Sequence, residues 1–160
     1  MKLFRTMVLS ATMVALALPA LAGETPVNLS LFTPISIAKE SDSVTAFRFN
    51  LIYGKNTSVQ VVDLGLVNHT TSGLSKGLAW GFVNYAEADF KGIQLAPANI
   101  VQGNFEGFEW GFVNHARHAR GLQLGFVNYA RTMHGLQIGL INIIEQDGFM
   151  PFFPFLNWSF

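Results

Sequence analysis

A short segment that ends in asparagine recurs along most of this chain. The clearest copies are Gly-Leu-Gln-Leu-Gly-Phe-Val-Asn at 121–128 and Gly-Leu-Gln-Ile-Gly-Leu-Ile-Asn at 135–142. The closing asparagine returns at intervals of 16, 15, 15, 14, 14 and 15 residues, at Asn68, Asn84, Asn99, Asn114, Asn128, Asn142 and Asn157. A period this short predicts one structural unit that is copied along an axis. A chain built from copies has few unique positions left for catalysis.

The residues before each asparagine predict a β-strand. Positions two, four and six before it are apolar in almost every copy, as with Phe126, Leu124 and Leu122 before Asn128, and the positions between them are mostly small or polar. Such alternation is typical of a strand with one hydrophobic face. The segments after the asparagines are more polar and contain all the changes in period, so they predict turns. We expect the apolar columns, with Trp80 and Trp110, to fill the interior.

Two all-β architectures fit this pattern. The preferred one is a β-solenoid of about seven rungs of 14–16 residues with caps, in which like residues stack as ladders and the asparagines bond to one another. The alternative is an antiparallel outer-membrane β-barrel of 8–9 strands, which the aromatic content and the C-terminal Phe160 favour. In a barrel, however, the lipid face would have to switch sides at the last strand. Pro97 and Pro154 also fit poorly in a closed barrel.

The ends of the chain differ from the repeats. Residues 1–22 have a positive start, an apolar run and an Ala-Leu-Ala ending, which together predict a secretory signal peptide. We predict N-terminal strands or a cap over 23–58, a repeat domain over 59–147, and an aromatic cap or last strand over 148–160. The expected location is therefore outside the cytoplasm, in the periplasm, in the outer membrane or on the cell surface.

Composition excludes several function classes. The chain has no Cys, and hydrophobic residues make up 50% of it against 12% charged residues. Without Lys2 and Arg5, eight Lys and Arg remain against ten Asp and Glu, a net charge of −2. This balance gives no reason to expect a nucleic-acid partner. No segment after the signal peptide holds 18 consecutive apolar residues, as a membrane-spanning helix would require.

The two clearest copies resemble the bacterial surface-repeat family first described from leptospiral surface proteins, whose signature is similar to Gly-x-Gln-x-Gly-x-x-Asn. The resemblance covers roughly residues 59 to 157. It is weakest at 92–99, where Ala96-Pro97-Ala98 interrupts the pattern. The resemblance implies an exported protein associated with the envelope, with no established catalytic residues.

Few residues suggest a site. His115 and His118 have a metal-ligand spacing, but neighbouring copies carry rings at the position of His115, so we expect packing there and no metal or cofactor. Glu106 and Glu109 are the residues on which a less favoured envelope glycan hydrolase would depend. The most basic stretch is a candidate contact for an anionic surface glycan or headgroup, although a solvated turn is the simpler interpretation. It comprises Arg117, His118, Arg120, Arg131 and His134.

The sequence therefore predicts a non-catalytic, exported repeat protein of the cell envelope with a structural or adhesive role. Its expected partner is an envelope component or a surface glycan, with association with the outer membrane as a further expectation. The alternatives are an integral outer-membrane barrel that acts as a small pore or ligand carrier, and the glycan hydrolase.

Overall fold

The computed structural model describes residues 23–160, and within them the regular elements are all strands. The predicted signal peptide lies outside the described residues. The strands are β1 (Glu24–Phe32), β2 (Ile35–Ser36), β3 (Ser43–Asn56), β4 (Gln60–Thr70), β5 (Leu74–Ala86), β6 (Asp89–Leu95), β7 (Ala98–Gln146) and β8 (Phe152–Ser159).

The strands wind into a β-solenoid, as the repeat predicts. From β3 to β7 each coil lies parallel to the one before it, and equivalent residues are paired, such as Asn84 with Asn99 and Gly77 with Gly92. β7 is a continuous run of 49 residues that covers several coils. The solenoid has about six coils, not the seven expected. The alternative of an antiparallel barrel is wrong because the central strands pair in parallel.

Antiparallel strands cover both ends of the solenoid. β2 pairs antiparallel with β1 at the N-terminal end, and β8 pairs antiparallel with the last coil of β7. The chain therefore reverses before Asn157, which lies opposite Gln137 and donates to the carbonyl oxygen of Met150 at 2.8 Å. Asn157 shares the spacing of the repeats but is not the seventh member of their ladder.

An uninterrupted amide ladder runs along the inside of the coils. Asn114 donates from Nδ2 to Oδ1 of Asn128 at 2.8 Å, and also to the carbonyl oxygen of Leu124 at 3.0 Å. Equivalent amide–amide bonds connect six of the predicted repeat asparagines: Asn68, Asn84, Asn99, Asn114, Asn128 and Asn142. Every one of these side chains is buried. Because the amides bond to each other and to backbone, a polar column is stable inside the coil.

Asn50 extends this ladder at its N-terminal end. Its backbone is aligned with Gly65, three residues before Asn68, yet its side chain donates to Oδ1 of Asn68 at 2.9 Å. Gly54 is the residue aligned with Asn68, and a Cβ at Gly54 would overlap the Asn50 side chain. Because Gly54 has no side chain, the Asn50 amide can occupy that space and reach Asn68 although the Asn50 backbone is out of register.

The expected placement of the apolar columns is wrong, because they point outward. Trp80 and Trp110 are 59% and 57% exposed, whereas half of the buried apolar side chains are alanines, among them Ala116 and Ala130. The reason is a corner just before each asparagine. Phe112 and Val113 are consecutive and both exposed, so the alternation shifts by one residue and Asn114 points inward. The large apolar residues before the corner then lie on the outside.

A column of glycines fixes the coils at a second corner. Gly77, Gly92, Gly107, Gly121 and Gly135 all have positive φ, between 109° and 145°. At Gly107 an added Cβ would overlap the carbonyl of Gly92 in the neighbouring coil. Glycine is therefore required for two reasons, the left-handed backbone and the close approach of adjacent coils.

Candidate functional site

The outward apolar columns form one continuous surface, which we call the apolar face. Its side chains lie four and two residues before each ladder asparagine. The first column is Leu64, Trp80, Leu95, Trp110, Leu124 and Ile138, and the second is Leu66, Phe82, Pro97, Phe112, Phe126 and Leu140. Neither column contains a charged residue. Phe49 pairs with Leu64, and Leu156 pairs with Ile138, so both caps extend the surface.

Proline interrupts the second column and produces a groove. Pro97 lies between the coils that carry Phe82 and Phe112, and its side chain is the smallest in the column. The groove measures about 260 Å³ and is lined by Trp80, Leu95, Pro97, Trp110 and Phe112, with Phe126 at its margin. The two tryptophans are two coils apart, roughly 10 Å by the usual strand spacing. The lining offers no charged side chain, so the groove suits an apolar occupant.

A second polar column lies inside the coil, five residues before the asparagines. Gln137 donates to Oε1 of Gln123 at 2.8 Å, and Gln123 donates to Oε2 of Glu109 at 2.7 Å. Burial raises the pKa of Glu109 to about 8, and the bond from Gln123 opposes this only in part. The paired residue in the preceding coil is Gln94, and both Gln94 Oε1 and Glu109 Oε1 are buried without a partner.

Those two orphaned oxygens indicate that Glu109 is protonated. In the two bonded pairs of this column, Gln137 with Gln123 and Gln123 with Glu109, the amide of the later coil donates to the oxygen of the earlier coil. A neutral Glu109 can follow the same rule, because its O–H can donate to Gln94 Oε1. If Glu109 were charged, its Oε1 and Gln94 Oε1 would both be acceptors, and no hydrogen would be present to bond them. The carboxyl group thus replaces an amide in the ladder.

The carboxylates proposed for the less favoured hydrolase do not converge. Glu109 is fully buried, whereas Glu106 is exposed and forms an ion pair with Lys91 at 2.8 Å. Hydrogen bonding from Lys91 holds the pKa of Glu106 below its usual value. One group lies inside the coil and the other on its surface, so they cannot act on one glycosidic bond from opposite sides.

Asp63 occupies the same inner column nearer the N-terminus. It binds Arg48 through two hydrogen bonds of 2.7 and 2.6 Å, and both residues are buried. Arg48 also donates to the carbonyl oxygen of His69 at 2.9 Å. The pair closes the polar column at the first coil and presents no charge to solvent.

The five basic-stretch residues lie together along one edge, which we call the basic edge. Arg117 and Arg131 hold the same position in adjacent coils, and so do Arg120 and His134. His118 lies in the same stretch of β7 and contacts Thr132 of the next coil, with Nδ1 and Oγ1 2.7 Å apart. His118 is half-buried, and the other four residues are exposed. The basic edge follows each asparagine by three to six residues, whereas the side chains of the apolar face lie two and four residues before the asparagines.

The histidines do not converge on a metal site. His115 stacks on Tyr129 in the next coil, with ring centres 4.7 Å apart, and burial lowers its pKa. His134 instead packs edge-on against Phe160 at the C-terminus. Among residues 23–160, no three His, Asp or Glu side chains come close enough together to hold a metal ion.

The outward apolar face is the feature that sequence reasoning missed. One signal could have revealed it, namely the two consecutive apolar residues before the asparagine, as in Phe112-Val113 and Phe126-Val127. Strict alternation fails at that point, which is where the corner lies. Over the described range, no helix is long and apolar enough to cross a membrane. Comparison with protein-family models, with curated proteins and with solved structures gave no match.

Proposed function

We propose that the protein is an exported, non-catalytic repeat protein of the cell envelope with a structural or adhesive role. The observation that carries the proposal is the inverted coil, in which amides face inward and the large apolar side chains before each asparagine face outward. The repeated polar groups bond to each other from coil to coil. Other molecules can therefore bind only the outer surface of the coils, which includes the apolar face and the basic edge.

The basic edge supports attachment to an anionic envelope component, such as a surface glycan or a lipid headgroup. Arg117, Arg120 and Arg131 are exposed within two adjacent coils, which brings three cations into one small area. Glu106 precedes Arg120 by one coil and Glu145 follows Arg131 by one coil, so the positive area is bounded. Clustered cations raise the local concentration of anionic partners, and salt screens this attraction.

Fractionation tests the proposal directly. Expressed in a Gram-negative host, the protein should lose its first 22 residues and be recovered with the envelope or the periplasm. The triple variant Arg117→Gln/Arg120→Gln/Arg131→Gln should be released from the envelope at lower salt than the parent. A matched control is Lys39→Gln/Lys55→Gln/Lys76→Gln, which removes the same charge elsewhere. Recovery of uncleaved protein in the cytosol would refute the proposal.

A further inference from the structure

The apolar face is larger than a monomeric protein normally leaves in water. Twelve side chains form its two columns, and several are more than half exposed, such as Phe82 at 62% and Phe112 at 58%. Because one aromatic side chain offers 150–250 Å², the face amounts to on the order of 1,000 Å² of apolar surface. The largest patch on a typical monomer is about 300–600 Å². The apolar area in excess of this value indicates that another molecule covers the apolar face in the functional state of the protein.

The area matches what one protomer contributes to a stable dimer. A standard specific interface buries about 800 Å² on each partner. The face is a sheet surface, and sheets pack face to face about 10 Å apart. Its two columns bear no charge that would repel an identical surface. A second copy of this chain therefore fits its size and chemistry.

The order of side chains along the columns makes the face complementary to itself. A two-fold axis parallel to the strands, midway between the coils of Leu95 and Trp110, reverses the order of the six coils. In the first column Trp110 then faces Leu95 of the second copy, and Trp80 faces Leu124. Both tryptophans thus meet leucines, and neither meets another tryptophan.

The groove at Pro97 gains an occupant in the same arrangement. In the second column the axis places Phe112 of each copy over Pro97 of the other. Phe112 is exposed and lines the groove of its own chain together with Pro97, which has the smallest side chain of that column. An aromatic ring inserts into an apolar notch of about 260 Å³ at two symmetric places. Leu66 faces Leu140, and Phe82 faces Phe126, so the remainder of the column is filled.

We propose that two copies of the chain pack apolar face to apolar face through this two-fold axis, with Phe112 of each inserted at Pro97 of the other. The inference rests on the proposed function and specifies how the outer surface is used. The dimer covers the aromatic side chains and leaves a basic edge exposed on each copy. Two edges on one rigid particle make envelope attachment bivalent, which strengthens binding without new contacts.

Sedimentation of the purified protein tests the dimer without any envelope component. The parent should have the mass of two chains at micromolar concentration. Phe112→Asp should raise the dissociation constant at least tenfold, because it would place a charge in the apolar notch. The matched control is Gln102→Asp, which adds the same charge at an exposed position away from the face. Circular dichroism verifies that each variant keeps its β-structure.

Cross-linking tests the register, and the absence of cysteine from the chain makes it simple. Leu66→Cys/Leu140→Cys should give a covalent dimer with a short bis-maleimide, since facing sheets lie about 10 Å apart. The two single variants should not cross-link. The axis separates each residue from the same residue of the second copy by five coils, roughly 24 Å. Equal cross-linking of the single and double variants would overturn this register.

A protein that is monomeric at micromolar concentration, or a dimer that Phe112→Asp leaves intact, overturns the proposal. A monomer that floats with phosphatidylcholine vesicles also overturns it, and shows that lipid covers the face. In that case envelope attachment would still stand. Conversely, a dimer that stays uncleaved in the cytosol would refute the proposed function alone.

Discussion

At the scale of single residues, Glu109 is a carboxylic acid at a core position where other coils have an amide. It occupies a position where the two following coils have Gln123 and Gln137, and it is fully buried. Its pKa is raised from 4.5 to about 8, first because burial disfavours the charge. At neutral pH the folded protein therefore retains a proton on Glu109 that the unfolded chain has already released.

This residue predicts a stability that falls as pH rises. The folded pKa lies above the unfolded value, so the contribution of Glu109 is complete below pH 4.5 and is lost as pH rises to about 8. Glu109→Gln completes the amide ladder without a titrating group. It should add about 3 kcal/mol to the free energy of unfolding at pH 7 and flatten the pH profile, as measured by urea unfolding.

Glu106→Gln is the matched control for that experiment, since Glu106 is exposed and only three residues away. It should leave the decline between pH 5 and pH 8 unchanged. An unfolding free energy that has the same pH dependence in Glu109→Gln and in the parent would show that Glu109 is charged in the folded protein.

Two glycines separate backbone strain from crowding. Gly73 and Gly107 both have positive φ, but an added Cβ meets nothing within 4 Å at Gly73 and overlaps the Gly92 carbonyl at Gly107. Gly73→Ala should cost about 1 kcal/mol, the usual penalty of a left-handed backbone. Gly107→Ala should cost about 3 kcal/mol or more, because adjacent coils must also move apart. Thermal unfolding would compare them, and equal losses would contradict the stacking of this column.

At the scale of elements, the caps determine where the coils stop. β8 covers the edge of the last coil with an antiparallel strand that contains Pro154, and β2 does the same for β1 at the other end. An open coil edge offers unpaired backbone groups to another chain. The reversal of β8 also explains why Asn157 binds the backbone of Met150 and not an asparagine of the ladder.

Removal of residues 148–160 should therefore convert the protein into end-to-end assemblies. The exposed edge of the last coil would pair with the edge of another molecule, and light scattering should increase with concentration. A variant that lacks only Phe160, which follows β8, should remain as dispersed as the parent. A truncated protein that stays dispersed would show that β8 is not required to protect the edge.

The repeat interval in the sequence predicted how the coils stack on one another, but it did not predict where the chain bends or reverses. The interval between asparagines predicted parallel coils and stacked amides, because equal spacing places like residues side by side. It could not separate Asn142, in the last parallel coil, from Asn157, in an antiparallel strand, since both follow the same spacing. Asn50 was missed because its backbone lies three residues out of register. The corner at Phe112-Val113 shifts the alternation by one residue. The apolar side chains of the strand before it therefore point outward, although the pattern predicted that they point inward.

At the scale of the whole molecule, the polar and apolar parts of the coil have exchanged their usual places. The interior combines amides and alanines with a few larger apolar side chains such as Phe105 and Ile144, and the amides form hydrogen bonds from coil to coil. The large apolar side chains are consequently available for association with another molecule. The same inversion places the carboxyl groups of Asp63 and Glu109 and the guanidinium group of Arg48 inside the coil, where each is hydrogen-bonded to a neighbouring side chain.

Hydrogen exchange of side-chain amides, followed by NMR, tests this inversion most directly. The Nδ2 hydrogens of Asn84, Asn99, Asn114 and Asn128 should exchange far more slowly than those of Asn104, which is exposed. Burial and bonding from coil to coil predict that protection for every member of the ladder. Ladder amides that exchange as fast as Asn104 would place the asparagines outside and contradict the inverted coil.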